Sequence, residues 1–181
     1  MSHDDGDHHS HPEPELGDDE FWALIGYNPD HRQQLALMES RLRGLPPELI
    51  MSFCLTLRQA LNRAHIQPLW AAAYVMCGAG SEEGFDAFKA WVILQGRDYF
   101  EAALHDPDCL ADIPEIDYSV CEHFLVLADH VHHDVAGEYP DYAPAPRPHL
   151  AFTDRWDFDF VEGIRETLPR LWARYGEAAA Y

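Results

Sequence analysis

The segment Pro68-Leu69-Trp70-Ala71-Ala72-Ala73-Tyr74-Val75-Met76 is apolar nearly all the way round. A helix with no polar face has to be wrapped by other elements. The segment ends at Cys77-Gly78-Ala79-Gly80. A second apolar helix follows at once, carrying Phe85, Phe88, Trp91, Val92 and Leu94. Its polar strip is narrow: Glu82, Asp86 and Lys89. Two such helices in succession demand a core built around Leu69–Leu104, with other amphipathic helices covering it.

The flanking sequence supplies those covers. Asp18-Asp19-Glu20 places acids at a helix start, where the positive end of the dipole favours them. Phe21, Trp22, Leu24 and Ile25 give that helix its apolar face, and Asn28-Pro29-Asp30 interrupts it. A second helix presents Leu35, Met38 and Leu42 and stops around Gly44. A third starts at Pro46-Pro47-Glu48, since proline is tolerated in a first helical turn. Leu49, Ile50, Phe53, Leu57, Ala60, Leu61 and Ala64 then recur at steps of three and four, a helical and not a strand period. Ser81-Glu82-Glu83 predicts an N-cap followed by two acids. Gly96 predicts a stop or kink, and Asp98-Tyr99-Phe100-Glu101 a capping box for a short helix to Leu104. Asp106-Pro107-Asp108 predicts a turn. From about Asp117 to Ala136 the pattern is helical again, with Val120, Phe124, Leu127, Val131 and Val135 as the buried stripe.

Residues 139–148 carry four prolines and predict an extended loop. A last helix, over about 154–175, buries Phe160, Ile164, Leu168 and Trp172, is disturbed by Pro169 and ends at Gly176. Residues 1–16 have almost nothing to bury and predict a disordered acidic, histidine-rich tail. The expectation is therefore an all-α, compact bundle of about seven helices. It forms a single domain over 17–181, with its main body at 18–136. A chain of 181 residues suits one domain with a proper core.

Charge narrows the partners. Asp and Glu number 32 against 12 Lys and Arg, a formal net charge of −20. Phosphate backbones and anionic membrane surfaces are attracted by cations, so nucleic acid and membrane are disfavoured and a basic protein partner is permitted. Cys54, Cys77, Cys109 and Cys121 form no C-x-x-C pair. Cys54 and Cys77 lie in apolar runs, as reduced core residues of a cytoplasmic protein would. No apolar run reaches the roughly 20 residues of a membrane-spanning helix.

Between Trp70 and Glu101 the motif reads Trp70-x-x-Ala73-Tyr74, then Gly78-x-Gly80-Ser81-Glu82-Glu83-Gly84-Phe85-x-x-Phe88-x-x-Trp91, then Gln95-Gly96-Arg97-x-x-Phe100-Glu101. Together with Glu20-Phe21-Trp22 and Leu45-Pro46-Pro47-Glu48, it resembles the bacterial family called domain of unknown function 4240. The resemblance spans most of residues 18–136. It departs from the family's usual Asn-Gly-Gly-x-Ser-Asp-Asp loop at Cys77, Ala79 and the acids Glu82-Glu83. It implies a small, mainly helical bacterial protein and no particular reaction.

Two sets of residues are candidate sites. The first is a ligand cleft rimmed by Trp70, Tyr74, Ser81, Glu82, Glu83, Asp86 and Trp91. Its glycine-rich loop is no phosphate loop: no strand precedes it, no lysine closes it, and Glu82 and Glu83 would repel a phosphate. A tight turn between two buried helices explains the glycines as well. The second set is His130, His133 and Asp134. Imidazole and carboxylate one helical turn apart can share a metal ion, and His133-Asp134 resembles the dyad of HD-type phosphohydrolases, with His105 and Asp157 as the further ligands. A solvated helix face is the competing explanation. The tail histidines His3, His8, His9 and His11 could hold Zn²⁺ or Ni²⁺ loosely. No cofactor is expected beyond such a divalent metal. The leading functional expectation is a non-enzymatic interaction or regulatory domain. The alternatives are a metal-dependent hydrolase at His130–Asp134 and a small-molecule binder at Trp70–Asp86.

Overall fold

The computed structural model describes residues 15–113, 117–141, 148, 150 and 161–179. The segment 1–14, most of the proline-rich stretch, and Phe160 with the expected start of the last helix lie outside those residues.

Among the described residues the chain is helical without strands: α1 Asp18–Ile25, α2 His31–Leu42, α3 Pro47–Arg63, α4 Gln67–Cys77, α5 Glu82–Leu94, α6 Arg97–His105, a 3-10 turn Pro107–Asp112, α7 Tyr118–Ala136, α8 Val161–Thr167 and α9 Pro169–Ala179. One hydrophobic cluster draws on all nine helices. α5 lies at its centre, buried without a break from Ala87 to Gln95. It packs on α7, α6, α3 and α4, while α4 packs chiefly on α9. Trp91, Phe85, Phe88 and Phe53 are sealed from solvent. Truncating one such aromatic to alanine costs about 3–5 kcal/mol.

Helix boundaries follow local chemistry. Asp30 caps α2, accepting from the N–H groups of Arg32 and Gln33 at 3.0 and 3.1 Å. Asp117 caps α7 through Ser119 N–H at 3.1 Å. At the end of α4, Gly78 takes φ +66° and its N–H reaches Tyr74 O at 2.8 Å, the left-handed C-cap that glycine adopts without steric cost.

Several expectations are corrected. Lys89 is not part of a polar strip but is 2 % exposed. Val135 is exposed, because α7 outruns its cover in its last turn. Asp98 does not cap α6; the N-cap is Gly96, at φ +91°. Asp106-Pro107-Asp108 opens a 3-10 turn instead of a simple reversal. Among the described residues the C-terminal helix is two helices, Val161–Thr167 and Pro169–Ala179. Pro169 has no N–H to continue α8 and instead starts α9. The exposed N–H groups of α9's first turn are taken by Asp108, which accepts from Arg170 N at 3.1 Å and Leu171 N at 2.9 Å. Gly176 does not stop α9; it lies inside it, where a Cβ would stand 2.5 Å from the Trp172 indole.

Candidate functional site

The α4–α5 corner is built on Trp70. Its indole N–H donates to Ala79 O at 2.8 Å, which ties the loop back onto the helix before it. Its ring stacks on Phe85, with centroids 4.7 Å apart and planes 14° from parallel. Ser81 caps α5 by accepting from Gly84 N–H at 3.1 Å. Beneath the stack, Lys89 Nζ lies 2.7 Å from Asp86 Oδ1 and 3.2 Å from His65 Nδ1. An ammonium only donates, so His65 accepts through Nδ1 and carries its own proton on Nε2. His65 is 3 % exposed, and its ring lies 5.4 Å from Phe85.

This arrangement gathers some of the expected cleft residues and separates others. Of these, Asp86 pairs with Lys89, and Trp70 reaches the same corner through its stack on Phe85, over which Lys89 lies. Tyr74 is half-buried, and Ser81, Glu82 and Glu83 are exposed in the loop and the first turn of α5. Trp91 belongs elsewhere: it lines a cavity with Tyr27, His31, Gln95 and Val120. His65 and Lys89 carry the polar chemistry of the corner; the sequence pattern sets Lys89 on a polar strip and gives His65 no role. The available signal was Lys89 following Asp86 by three positions inside an otherwise apolar helix.

On α7, Asp134 is taken by Arg43 at 2.7 Å. That hydrogen bond holds its carboxyl below the ordinary carboxylate range. His133 Nδ1 is 3.6 Å from Asp134 Oδ1, and its ring stacks on Tyr139 at 4.4 Å. His130 is exposed beside the same tyrosine, 6.0 Å away. His132 is the buried one. Its Nδ1 meets the Glu138 carbonyl at 2.9 Å, which closes the C-terminal end of the helix. Among the described residues no three His, Cys, Asp or Glu side chains converge as metal ligands. His105 is exposed, and Asp157 lies outside the described residues, as do the tail histidines.

All four cysteines are free thiols, and burial raises the pKa of each, that of Cys121 to about 12. A raised pKa favours the neutral thiol over the thiolate at neutral pH.

The cavity beside Trp91 measures about 420 Å³ and lies where the α1–α2 connection meets the end of α5 and the start of α7. Gln95 Nε2 donates to Trp91 O at 3.0 Å and stands 3.4 Å from His31 Nε2. Burial pushes the His31 imidazole below its usual pKa, against the opposing pull of Asp117 and Asp30. Arg32 pairs with Asp117 at 2.8 Å on the rim.

The fold and these sites define a compact all-α domain with buried polar centres. The sequence pattern of the family described as protein of unknown function (DUF4240) matches residues 16–134, and the chain belongs to that family. No curated protein and no solved structure matches it. No helix among the described residues is long and apolar enough to cross a membrane.

Proposed function

We propose that this chain is a non-enzymatic interaction or regulatory domain that meets a basic protein partner through its acidic surface. The observation that carries this reading is where the cations go. Among the described residues, nine of the ten Lys and Arg side chains bond to a carboxylate or carbonyl of the same chain: Arg32, Arg43, Arg58, Arg63, Lys89, Arg97 and Arg170 to carboxylates, Arg41 and Arg174 to carbonyls. The carboxylate excess then faces outward. Glu48, Glu83, Asp98, Glu122, Glu138 and Glu162 are exposed and form no ion pair among the described residues. Such a surface steers a basic partner in and repels acidic ones. Free, protonated cysteines accord with a reducing, cytoplasmic setting.

Pull-down from bacterial lysate at low salt tests the reading. Retention of a basic protein that salt releases supports it. Retention of nothing, or of a partner indifferent to salt, overturns it. The hydrolase alternative is separated by elemental analysis and a Mn²⁺-supplemented phosphatase assay on residues 17–181. Bound metal together with turnover would replace the interaction reading with a catalytic one.

A further inference from the structure

α3 carries apolar residues on two sides, and the core uses one of them. Ile50, Phe53, Leu57 and Ala60 are buried, and the helix packs on α7 and α5. Met51 and Leu55 stand one turn apart on another side, so they form a short strip. Neither belongs to the core or to the residues packed against it, and Leu55 is 42 % exposed.

That strip lines a groove of about 340 Å³ whose other wall is the segment leading into α1. Leu16 is held in that wall by its N–H, which donates to Ser52 Oγ at 2.9 Å. Thr56 Oγ1 donates to Ser52 O at 2.9 Å, so both hydroxyls on the α3 side already bond to the chain's own backbone. The rim is acidic. Glu15, Asp18 and Glu48 line the groove, and among the described lining residues there is no Lys, Arg or His. Asp18 pairs with Arg97 at 2.5 Å. Glu15 and Glu48 are exposed and form no ion pair with a described residue. An apolar centre inside a polar rim is the anatomy of a protein interface.

Three kinds of occupant compete for such a groove, and charge separates them. A second copy of the chain brings a formal charge of −20 and is repelled. Residues 1–14, which precede Glu15, hold Asp4, Asp5, Asp7 and Glu13 and no Lys or Arg. Their one large aliphatic side chain is Met1, so they match neither the rim nor the floor. A basic segment matches both if it also carries an aliphatic side chain.

We propose that the groove between Leu16 and the Met51–Leu55 strip is where a basic protein partner docks, through a short segment in which Lys or Arg flanks a large aliphatic residue. The aliphatic side chain lies on Met51 and Leu55, and the flanking cations reach Glu15 and Glu48. This rests on the acidic-surface reading above and narrows it to one face.

The test is an NMR titration of the full chain, labelled with ¹³C at its Met and Leu methyl groups. The probe is a synthetic peptide in which arginine and lysine flank leucine; controls carry serine for leucine, or glutamate for the basic residues. The Met51 and Leu55 signals are assigned by their loss in Met51→Gln and Leu55→Ser. The basic peptide is expected to move both signals saturably. Its affinity should fall at least about tenfold in Leu55→Ser, in Glu48→Lys, and when serine replaces its leucine. It should change less than about twofold when Glu122 and Glu138, exposed elsewhere, are both replaced by lysine. Binding that falls with Glu122 and Glu138 but not with Glu48 or Leu55 would overturn the groove and leave the acidic-surface reading standing. Absence of any binding overturns the groove, and the lysate pull-down then decides the wider reading separately. Contacts from the Met51 or Leu55 methyls to residues 1–14 in the free chain, or shifts of those methyls with protein concentration alone, would also overturn the proposal. The occupant would then be the chain's own terminus or a second copy.

Discussion

Lys89 donates from inside the core to His65 Nδ1 at 3.2 Å, and neither residue is more than 3 % exposed. The charge is balanced by Asp86, 2.7 Å away, whose own side chain keeps 22 % of its surface. A buried ammonium is tolerated only when paired. Removing the anion should therefore cost more than removing the cation. Asp86→Ala is expected to lower unfolding free energy by about 3–5 kcal/mol, and Lys89→Met by clearly less. Denaturant unfolding of the two variants gives the comparison. Equal losses would mean that the pair is not what holds this corner.

Asp108 performs at a distance what an N-cap residue usually does locally. It sits more than 60 positions from α9 in the chain and accepts from the N–H groups of both Arg170 and Leu171. Asp108→Ala should destabilise the protein by about 1–2 kcal/mol, and amide exchange should accelerate first in α9. Uniform acceleration across all helices would contradict a local cap.

Gly78→Ala isolates backbone strain. A Cβ at this position meets nothing within 4 Å, so only φ +66° opposes the substitution. The expected loss is about 1 kcal/mol. Gly78→Asn should lose less, because asparagine tolerates the left-handed region. A thermal-unfolding midpoint unchanged in Gly78→Ala would contradict the conformation.

His31 gives stability a pH dependence. Desolvation lowers its pKa in the folded state below the unfolded value near 6.5. The unfolded chain therefore takes up the proton first as pH falls. Stability is unaffected by this group above about 6.5 and declines as pH drops from there towards the folded pKa. His31→Gln should flatten that part of the stability curve. The His31 ring resonances should titrate below the unfolded value near 6.5. A higher pKa for His31 would reverse the sign.

Much of the fold was legible because its signals are local. Gly78, Ser81 and Asp30 terminate or start helices through atoms a few residues away, and the apolar periods of α3 and α7 survive almost unaltered. What escaped depends on contacts across the fold. Lys89 looks like a surface residue until the α3–α4 connection brings His65 over it. Asp108 looks like part of a turn until α9 docks. Gly176 looks like a stop until Trp172 lies on it. The candidate sites divide in the same way. The Trp70 corner is local and was visible as a cluster. The cavity lining pairs Tyr27 and His31 with Trp91 and Gln95, residues about 60 positions apart whose approach no spacing announces. Arg43's hold on Asp134 is equally remote in sequence.

The acidic surface is tested most directly by measuring the dissociation constant of the captured basic partner at about 50 and 500 mM salt, with Glu48, Glu83 and Asp98 intact and then replaced by lysine. A surface that works by charge predicts at least about tenfold weaker binding at the higher salt, and a similar weakening in the lysine variant at low salt. A dissociation constant that neither salt nor charge reversal alters would contradict it.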